Sequence, residues 1–278
     1  MRALSLAILL TSAAVAGCDN KPDVDPAEVE AKLKSDLDNA ATRARNNKTK
    51  DAEKIYTRVL EEHPDQPEAL AGMSKLRFGE GKVDEAIALV DKSIAKKGDA
   101  PVPHSMRGEY LARKEDHAGS AAAYGKAFEL APDKSEYGLA YGVQLKKAGS
   151  FKEAETVLRK VAEMDPMAQF VFTELGDVLR AQERNDEALK TYMKALSTYA
   201  SDKMAHAGAA QIYEAKDDIK HALDEWSTYV RMDCCSPYSE SVAKKKIEEL
   251  QAKSNELDKK APTEAPPADT AGDAPKEG

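Results

Sequence analysis

What this chain lacks limits what it does. Its 278 residues include only three cysteines, five histidines and one tryptophan, which leaves little material for a metal centre or for a nucleophile with its base. Paired-cysteine zinc spacing is missing, as are His-Glu-x-x-His, a glycine-rich phosphate loop and a Gly-x-Ser-x-Gly elbow. No catalytic residue, metal, cofactor or small-molecule substrate is therefore expected, and the chain reads as a non-enzyme. A basic excess is lacking too: 41 Lys and Arg stand against 49 Asp and Glu, a formal net charge of −8. Without a basic stripe and interleaved aromatics the electrostatic footprint of a nucleic-acid binder is missing. No apolar run approaches the roughly 20 residues of a comfortable membrane-crossing helix.

What the chain does have is a repeat. The segment Ser135–Ala168 recurs at a step of 34 residues, without insertion or deletion, giving copies over 33–66, 67–100, 101–134, 135–168, 169–202 and 203–236. The eighth place reads Ala40, Ser74, Gly108, Gly142, Gly176 and Ala210; the twentieth reads Ala52, Ala86, Ser120, Ala154, Ala188 and Ala222. Both columns are small throughout, whereas the twenty-fourth is bulky: Tyr56, Val90, Tyr124, Leu158, Tyr192 and Trp226. Pro64, Pro132 and Pro166, with Gly98, mark the thirty-second place as a helix stop, because proline disfavours helix in the residue before it and donates no backbone bond. A fixed period of this length is the signature of a solenoid.

These columns resemble the tetratricopeptide repeat family, whose unit is a pair of antiparallel helices with small residues at places eight, twenty and twenty-seven. Small residues are needed there because two helices that cross closely leave no room for a larger side chain. The resemblance implies an all-α fold: a right-handed superhelical solenoid of six helix pairs over residues 26–257, closed by a capping helix at about 239–257. Departures are visible. The aromatic of the fourth place survives only as Phe172, and Val59, Val161 and Tyr229 stand at place twenty-seven. His104 and His206 take the fourth place and are expected to pack there; His63, His117 and His221 fall near helix ends, and His221 with Glu225 reads as an exposed i,i+4 pair.

The two ends differ from the repeat. Residues 1–17, with Arg2, an apolar run from Ala3 to Leu10 and then Val15-Ala16-Gly17, have the form of a signal peptide. The Cys18 that follows looks like the lipobox cysteine of a bacterial lipoprotein, the alternative being ordinary cleavage after Ala16 with Cys18 a plain thiol. Lipidation at Cys18 implies a membrane anchor in the bacterial cell envelope facing the periplasm, inner or outer membrane undecided, with 18–25 as the tether. Asp25-Pro26 reads as an N-cap and first-turn proline, and Val29, Leu33 and Leu37 start the first helix ahead of the repeat frame. After Ser239, Ala243, Ile247, Leu250 and Leu257 recur on one face, as a terminal cap requires, with Lys244-Lys245-Lys246 on the solvated side. Residues 258–278, Pro-rich and acidic from Ala261 on, are expected to be disordered. Cys234 and Cys235 leave three readings open: a structural role for two reduced or partly buried thiols, an internal vicinal disulfide, or intermolecular or metal chemistry.

In the family the concave wall comes from places two, five, nine, twelve and thirteen of each copy. Carried onto this sequence those places give Phe78, Val102, Leu139, Val143, Phe170 and Met204 as apolar candidates and Lys75, Arg113, Lys146, Lys147 and Arg180 as basic ones. Acids are fewer: Glu68, Glu109, Glu136, Asp177 and Glu214. Such a groove suits an amphipathic or acidic segment of a partner protein, although Lys146, Lys147 and Arg180 also read as helix ends in water. The carboxylate-clamping arrangement of chaperone-binding members is not matched, since places five and nine of the first two copies are Leu37, Ala41, Ala71 and Lys75. A lipobox followed by six such repeats is similar to the pilotins of type IV pilus secretins, which implies a membrane-anchored adaptor in assembly of an envelope machine. The alternative is a non-catalytic regulator or helper of an envelope enzyme such as a protease or peptidoglycan hydrolase.

Overall fold

A computed structural model describes residues 25–260. The signal peptide, the lipobox with Cys18, the tether up to residue 24 and the tail from Ala261 lie outside the described residues. In chain order the helices are α1 (Pro26–Arg45), α2 (Thr49–Glu62), α3 (Pro67–Gly79), α4 (Val83–Lys96), α5 (Pro101–Arg113), α6 (His117–Leu130), α7 (Ser135–Lys147), α8 (Phe151–Met164), α9 (Val171–Ala181), α10 (Asn185–Thr198), α11 (Lys203–Ala215) and α12 (Ile219–Met232). A π turn (Ser239–Ala243) then leads into α13 (Lys244–Lys260). No helix among the described residues is long and apolar enough to cross a membrane.

The even-numbered helices α2 to α12 all run from the seventeenth to the thirtieth place of their copy, and α3, α5, α7 and α11 from the first to the thirteenth. Two odd-numbered helices break that register. The first, α1, starts seven residues early on the N-cap of Asp25, whose carboxylate accepts from the Ala27 amide at 2.9 Å ahead of Pro26. The other, α9, starts two residues late, at Val171. Helices α2, α6 and α8 each end two residues before Pro64, Pro132 or Pro166, where the chain must leave the helical region.

The chain divides into two compact units, one up to Pro64 and one from Asp65 on. In the first, Ala40 and Ala52 are fully buried and Tyr56 and Val59 nearly so. The second is an all-α repeat solenoid, and its cores follow the columns. Ala86, Ser120, Ala154, Ala188 and Ala222 at the twentieth place are all fully buried. At the eighth place the reason for smallness is explicit: a Cβ on Gly108 would meet the Tyr124 ring at 2.7 Å, one on Gly142 the Leu158 side chain at 2.6 Å, and one on Gly176 the Tyr192 ring at 2.6 Å. The bulky twenty-fourth residue of each of these pairs thus fills the hole left at its own eighth place. Val161 and Tyr229, larger than the family's alanine at place twenty-seven, are buried without exposure above 2%.

The π turn and α13 close the last core with Ala243 and Leu250 respectively, which join Trp226, Ala222 and Tyr229, while Ile247 packs partly buried against them. Leu257 does not take part and is 52% exposed. The helix has run out of partner surface by then: Lys253 already pairs with Asp217 in the turn that ends α11, and Leu257 lies one helical turn further on. The lysine run is engaged rather than simply solvated, with Lys244 on Glu240 at 2.5 Å and Lys246 on Glu214 at 3.1 Å.

Candidate functional site

Each copy reverses between its two helices through a left-handed residue at the fifteenth place: Asn47, Gly81, Glu115, Gly149, Glu183 and Asp217, with φ between 58° and 80°. Among the described residues Phe170 is the one with positive φ outside that column, at 69°. It caps α9 without a side-chain bond and explains the late start of that helix. The segment before it is held from both sides: the Met167 amide donates to Asp165 Oδ1 at 3.2 Å, and the Tyr199 hydroxyl donates to the Met167 carbonyl at 2.5 Å. A bulky L-residue in this region carries a strain of about 1–2 kcal/mol. Phe170 carries it while remaining 45% exposed.

Phe170 occupies the second place of its copy, and the same place in two other copies also presents a large apolar side chain, Val102 at 53% and Met204 at 51% exposure. Val102 borders a cleft of about 240 Å³ with Pro67, Ala71, Ala100 and Pro103, beside the Lys97–Glu68 ion pair at 3.1 Å. Leu139 and Val143 are half-buried, Leu139 being packed against the core that contains Leu158 and Tyr192. Phe78 is less available than its place suggests: it stacks on the buried Tyr110 with centroids 4.4 Å apart.

The basic candidates separate into two groups. Lys146 Nζ lies 2.6 Å from Glu174 and 2.7 Å from Asp177. Burial draws this ammonium's pKa down, but Asp177 and Glu174 together outweigh burial and hold it above the ordinary lysine value. Asp177 also accepts from the Tyr192 hydroxyl at 2.6 Å, and Arg180 Nε donates to the same hydroxyl at 3.4 Å. Burial first, and then the Asp177 carboxylate, push the Tyr192 phenol well above its usual range. Lys146, Glu174, Asp177 and Tyr192 therefore form one network in which Lys146 is neutralised, with the exposed Arg180 at its edge, and the reading of Lys146 as a helix end in water does not hold. Lys75, Arg113, Lys147 and Arg180 are exposed. Glu174, at place six, lies outside the family's concave places; the signal that finds it is its spacing of 28 residues from Lys146, with Asp177 at 31.

The histidines redistribute. His206 Nδ1 sits 2.5 Å from Glu225 Oε2, and its Nε2 lies 3.2 Å from the Ala200 carbonyl. His104 contacts the Gly98 carbonyl at 3.0 Å through Nε2, one turn before its own helix. The expected His221–Glu225 pair is absent because Glu225 is taken by His206. His221 instead bonds Asp218, the N-cap of α12, at 2.8 Å and stacks on Tyr213. Cys234 and Cys235 are both free and exposed, so the pair is reduced rather than partly buried and no disulfide joins it. Among the described residues no group of three or more His, Cys, Asp or Glu is placed to hold a metal ion.

Family models described as tetratricopeptide repeat match residues 44–109 and 173–231. A curated relative, cellulose synthase operon protein C of Pseudomonas fluorescens, is 26% identical over 136 residues, which is 46% of this chain and 11% of the relative. This chain thus spans a small part of that relative's length. Among solved structures, YrrB, a TPR protein described as having an unusual peptide-binding site, has a TM-score of 0.57 and 17% identity, covering 73% of this chain and 98% of YrrB. PilF of Pseudomonas aeruginosa has a TM-score of 0.63 and 15% identity over 81% of this chain and 98% of its own. The C-terminal part of a TPR repeat-containing protein of Cytophaga hutchinsonii reaches 0.65 at 16% identity, over 80% of this chain and 90% of that one. At such identities the likeness is one of fold. Two matched segments and an unbroken 34-residue register identify the repeating unit as similar to the tetratricopeptide repeat, and these neighbours share the solenoid fold it builds.

Proposed function

We propose that the protein is a non-catalytic scaffold that holds a partner protein segment on the first-helix face of its repeats, tethered to a membrane of the bacterial envelope by lipid on Cys18. One observation carries the binding face: Val102, Phe170 and Met204 present large apolar side chains to solvent at the same place of three copies, and Phe170 does so at the expense of backbone strain. Peptide binding by YrrB supports the same use of the fold. Because Lys146 is neutralised internally, the preferred segment is amphipathic with apolar anchors, and Lys75, Arg113, Lys147 and Arg180 contribute at the rim. The likeness to PilF favours a pilotin-like role in assembling an envelope machine.

Crosslinking in intact cells, followed by identification of what is captured, tests the role: a secretin supports it, and a protease or hydrolase moves the protein to the helper class. The binding face is tested separately. Phe170→Ala with Met204→Ala should raise the dissociation rate of the captured partner through lost apolar burial, whereas Arg113→Glu with Lys147→Glu should change mainly association rate and salt dependence. All four side chains are exposed, so folding should survive. Undiminished capture by the folded quadruple variant across a range of salt would exclude this face.

A further inference from the structure

The segment after α12 places two thiols side by side. Cys234 and Cys235 are free and exposed, and they lie between the end of α12 and the π turn. The adjacent Cys234 thiol, by hydrogen bonding first and then by charge, raises the Cys235 thiol above its ordinary pKa. A second thiolate is thus resisted until something electropositive sits between the sulfurs. Lys244 interacts electrostatically with both but is itself bound to Glu240 at 2.5 Å, so it does not fill that role.

Covalent geometry limits what the pair accepts. Neighbouring α-carbons across a trans peptide stand about 3.8 Å apart, whereas a disulfide prefers roughly 4.4–6.8 Å. A direct sulfur–sulfur bond between adjacent residues closes a strained eight-membered ring. One atom inserted between the sulfurs, at thiolate bond lengths of about 2.3 Å, enlarges the ring to nine and lets the sulfurs stand apart. A tetrahedral zinc site would need further protein ligands, and among the described residues no group of three His, Cys, Asp or Glu is placed to supply them. Thiolates select soft centres, and two of them complete a low-coordinate centre whose remaining ligand comes from outside.

We propose that Cys234 and Cys235 form a dithiol site for a soft, thiol-seeking centre of the trivalent arsenical class, bound through both sulfurs. With phenylarsine oxide the step balances without redox change. Two S–H bonds and the arsenic–oxygen bond break, two arsenic–sulfur bonds form, and both thiol protons leave with the oxygen as one water. Arsenic stays trivalent.

The test uses the full chain, reduced, with phenylarsine oxide as the probe and intact mass plus thiol titration as readouts. One phenylarsenic unit per chain is expected, with two thiols consumed, retained against excess monothiol and released by a small dithiol. Cys234→Ser and Cys235→Ser, tested singly with Cys18 present in both, should each weaken retention by roughly 10²- to 10⁴-fold as the second sulfur's effective concentration is lost. Both positions are exposed, so thermal unfolding should not move. A single-serine variant that holds the arsenical as tightly as the parent, or capture that consumes only one thiol, would overturn the assignment. So would spontaneous closure of a Cys234–Cys235 disulfide in air in preference to arsenical capture.

Discussion

Gly176→Ala isolates the contact on which the repeat register depends. The added Cβ would lie 2.6 Å from Tyr192 Cε1 and 2.8 Å from Cδ1, well inside van der Waals contact, so something must move. Tyr192 has little freedom to do so. It is fully buried, its hydroxyl is held by Asp177 at 2.6 Å, and the backbone of Gly208 closes on the ring as well. Overpacking should therefore reach the upper part of the usual range, about 3 kcal/mol. Replacing glycine by alanine inside a helix returns about 1 kcal/mol through propensity. The net expectation is a loss of about 2 kcal/mol, read as a lower urea midpoint by circular dichroism at unchanged slope. Gly79→Ala is the control, since nothing lies within 4 Å of its Cβ; it should be neutral or slightly stabilising. The decisive comparison is Gly176→Ala in a Tyr192→Ala background, where the clash is gone and the same change should stabilise by up to about 1 kcal/mol. A Gly176→Ala protein as stable as the parent, or an equal loss in both backgrounds, would refute the packing of place eight against place twenty-four.

Much of the fold was legible because packing writes its constraint directly into residue size. Wherever two helices cross, the sequence has to be small, and Ala52, Ala86, Ala154, Ala188 and Ala222 report the crossings without ambiguity. The fifteenth place is not legible in this way because its constraint is on the backbone instead. Asn47, Gly81, Glu115, Gly149, Glu183 and Asp217 share a left-handed φ and no common side-chain property. The late start of α9 is hidden for the same reason: in sequence Phe170 is an ordinary apolar residue, and only its φ sets it apart.

The binding face was legible only as positions. Assigning places two, five, nine, twelve and thirteen says which side chains belong to the first helices' wall, but charge there depends on what the next copy brings. Lys146 in α7 is neutralised by Glu174 and Asp177 in α9, one period later, so a lysine read alone overstates the positive character of the surface. Spacing along α12 likewise pairs Glu225 with the nearest histidine on its own helix, His221, whereas the helix pair brings His206 of α11 against it. Local spacing ranks neighbours along one helix, and in a two-helix repeat the deciding neighbour is often on the other.

Three further expectations follow from these contacts. Glu183→Gly should stabilise by about 0.5–1 kcal/mol in urea unfolding, since relief of left-handed strain exceeds the entropy cost of glycine; a loss of stability would contradict the 62° φ at that turn. Leu250→Ala should cost about 2–5 kcal/mol by opening the terminal core, whereas Leu257→Ala, at an exposed position, should stay within about 0.5 kcal/mol; equal effects would mean that the cap extends further than Leu250. The last concerns pH. Both ring nitrogens of His206 face acceptors, the Glu225 carboxylate and the Ala200 carbonyl, and only the imidazolium donates to both. The Glu225 hydrogen bond is the main cause that raises the His206 pKa in the folded chain, burial opposes it, and the Ala200 carbonyl and the charges of Glu225 and Asp202 add to the rise. A group whose folded pKa exceeds its unfolded one contributes stability that is complete below the unfolded value and is lost as pH climbs through the folded value. Unfolding free energy should therefore fall as pH rises from the ordinary imidazole value of 6.5 through the raised one, and His206→Gln should remove that slope. A parent and a His206→Gln protein with parallel stability profiles above neutral pH would show that the clamp between Ala200, His206 and Glu225 does not hold a proton.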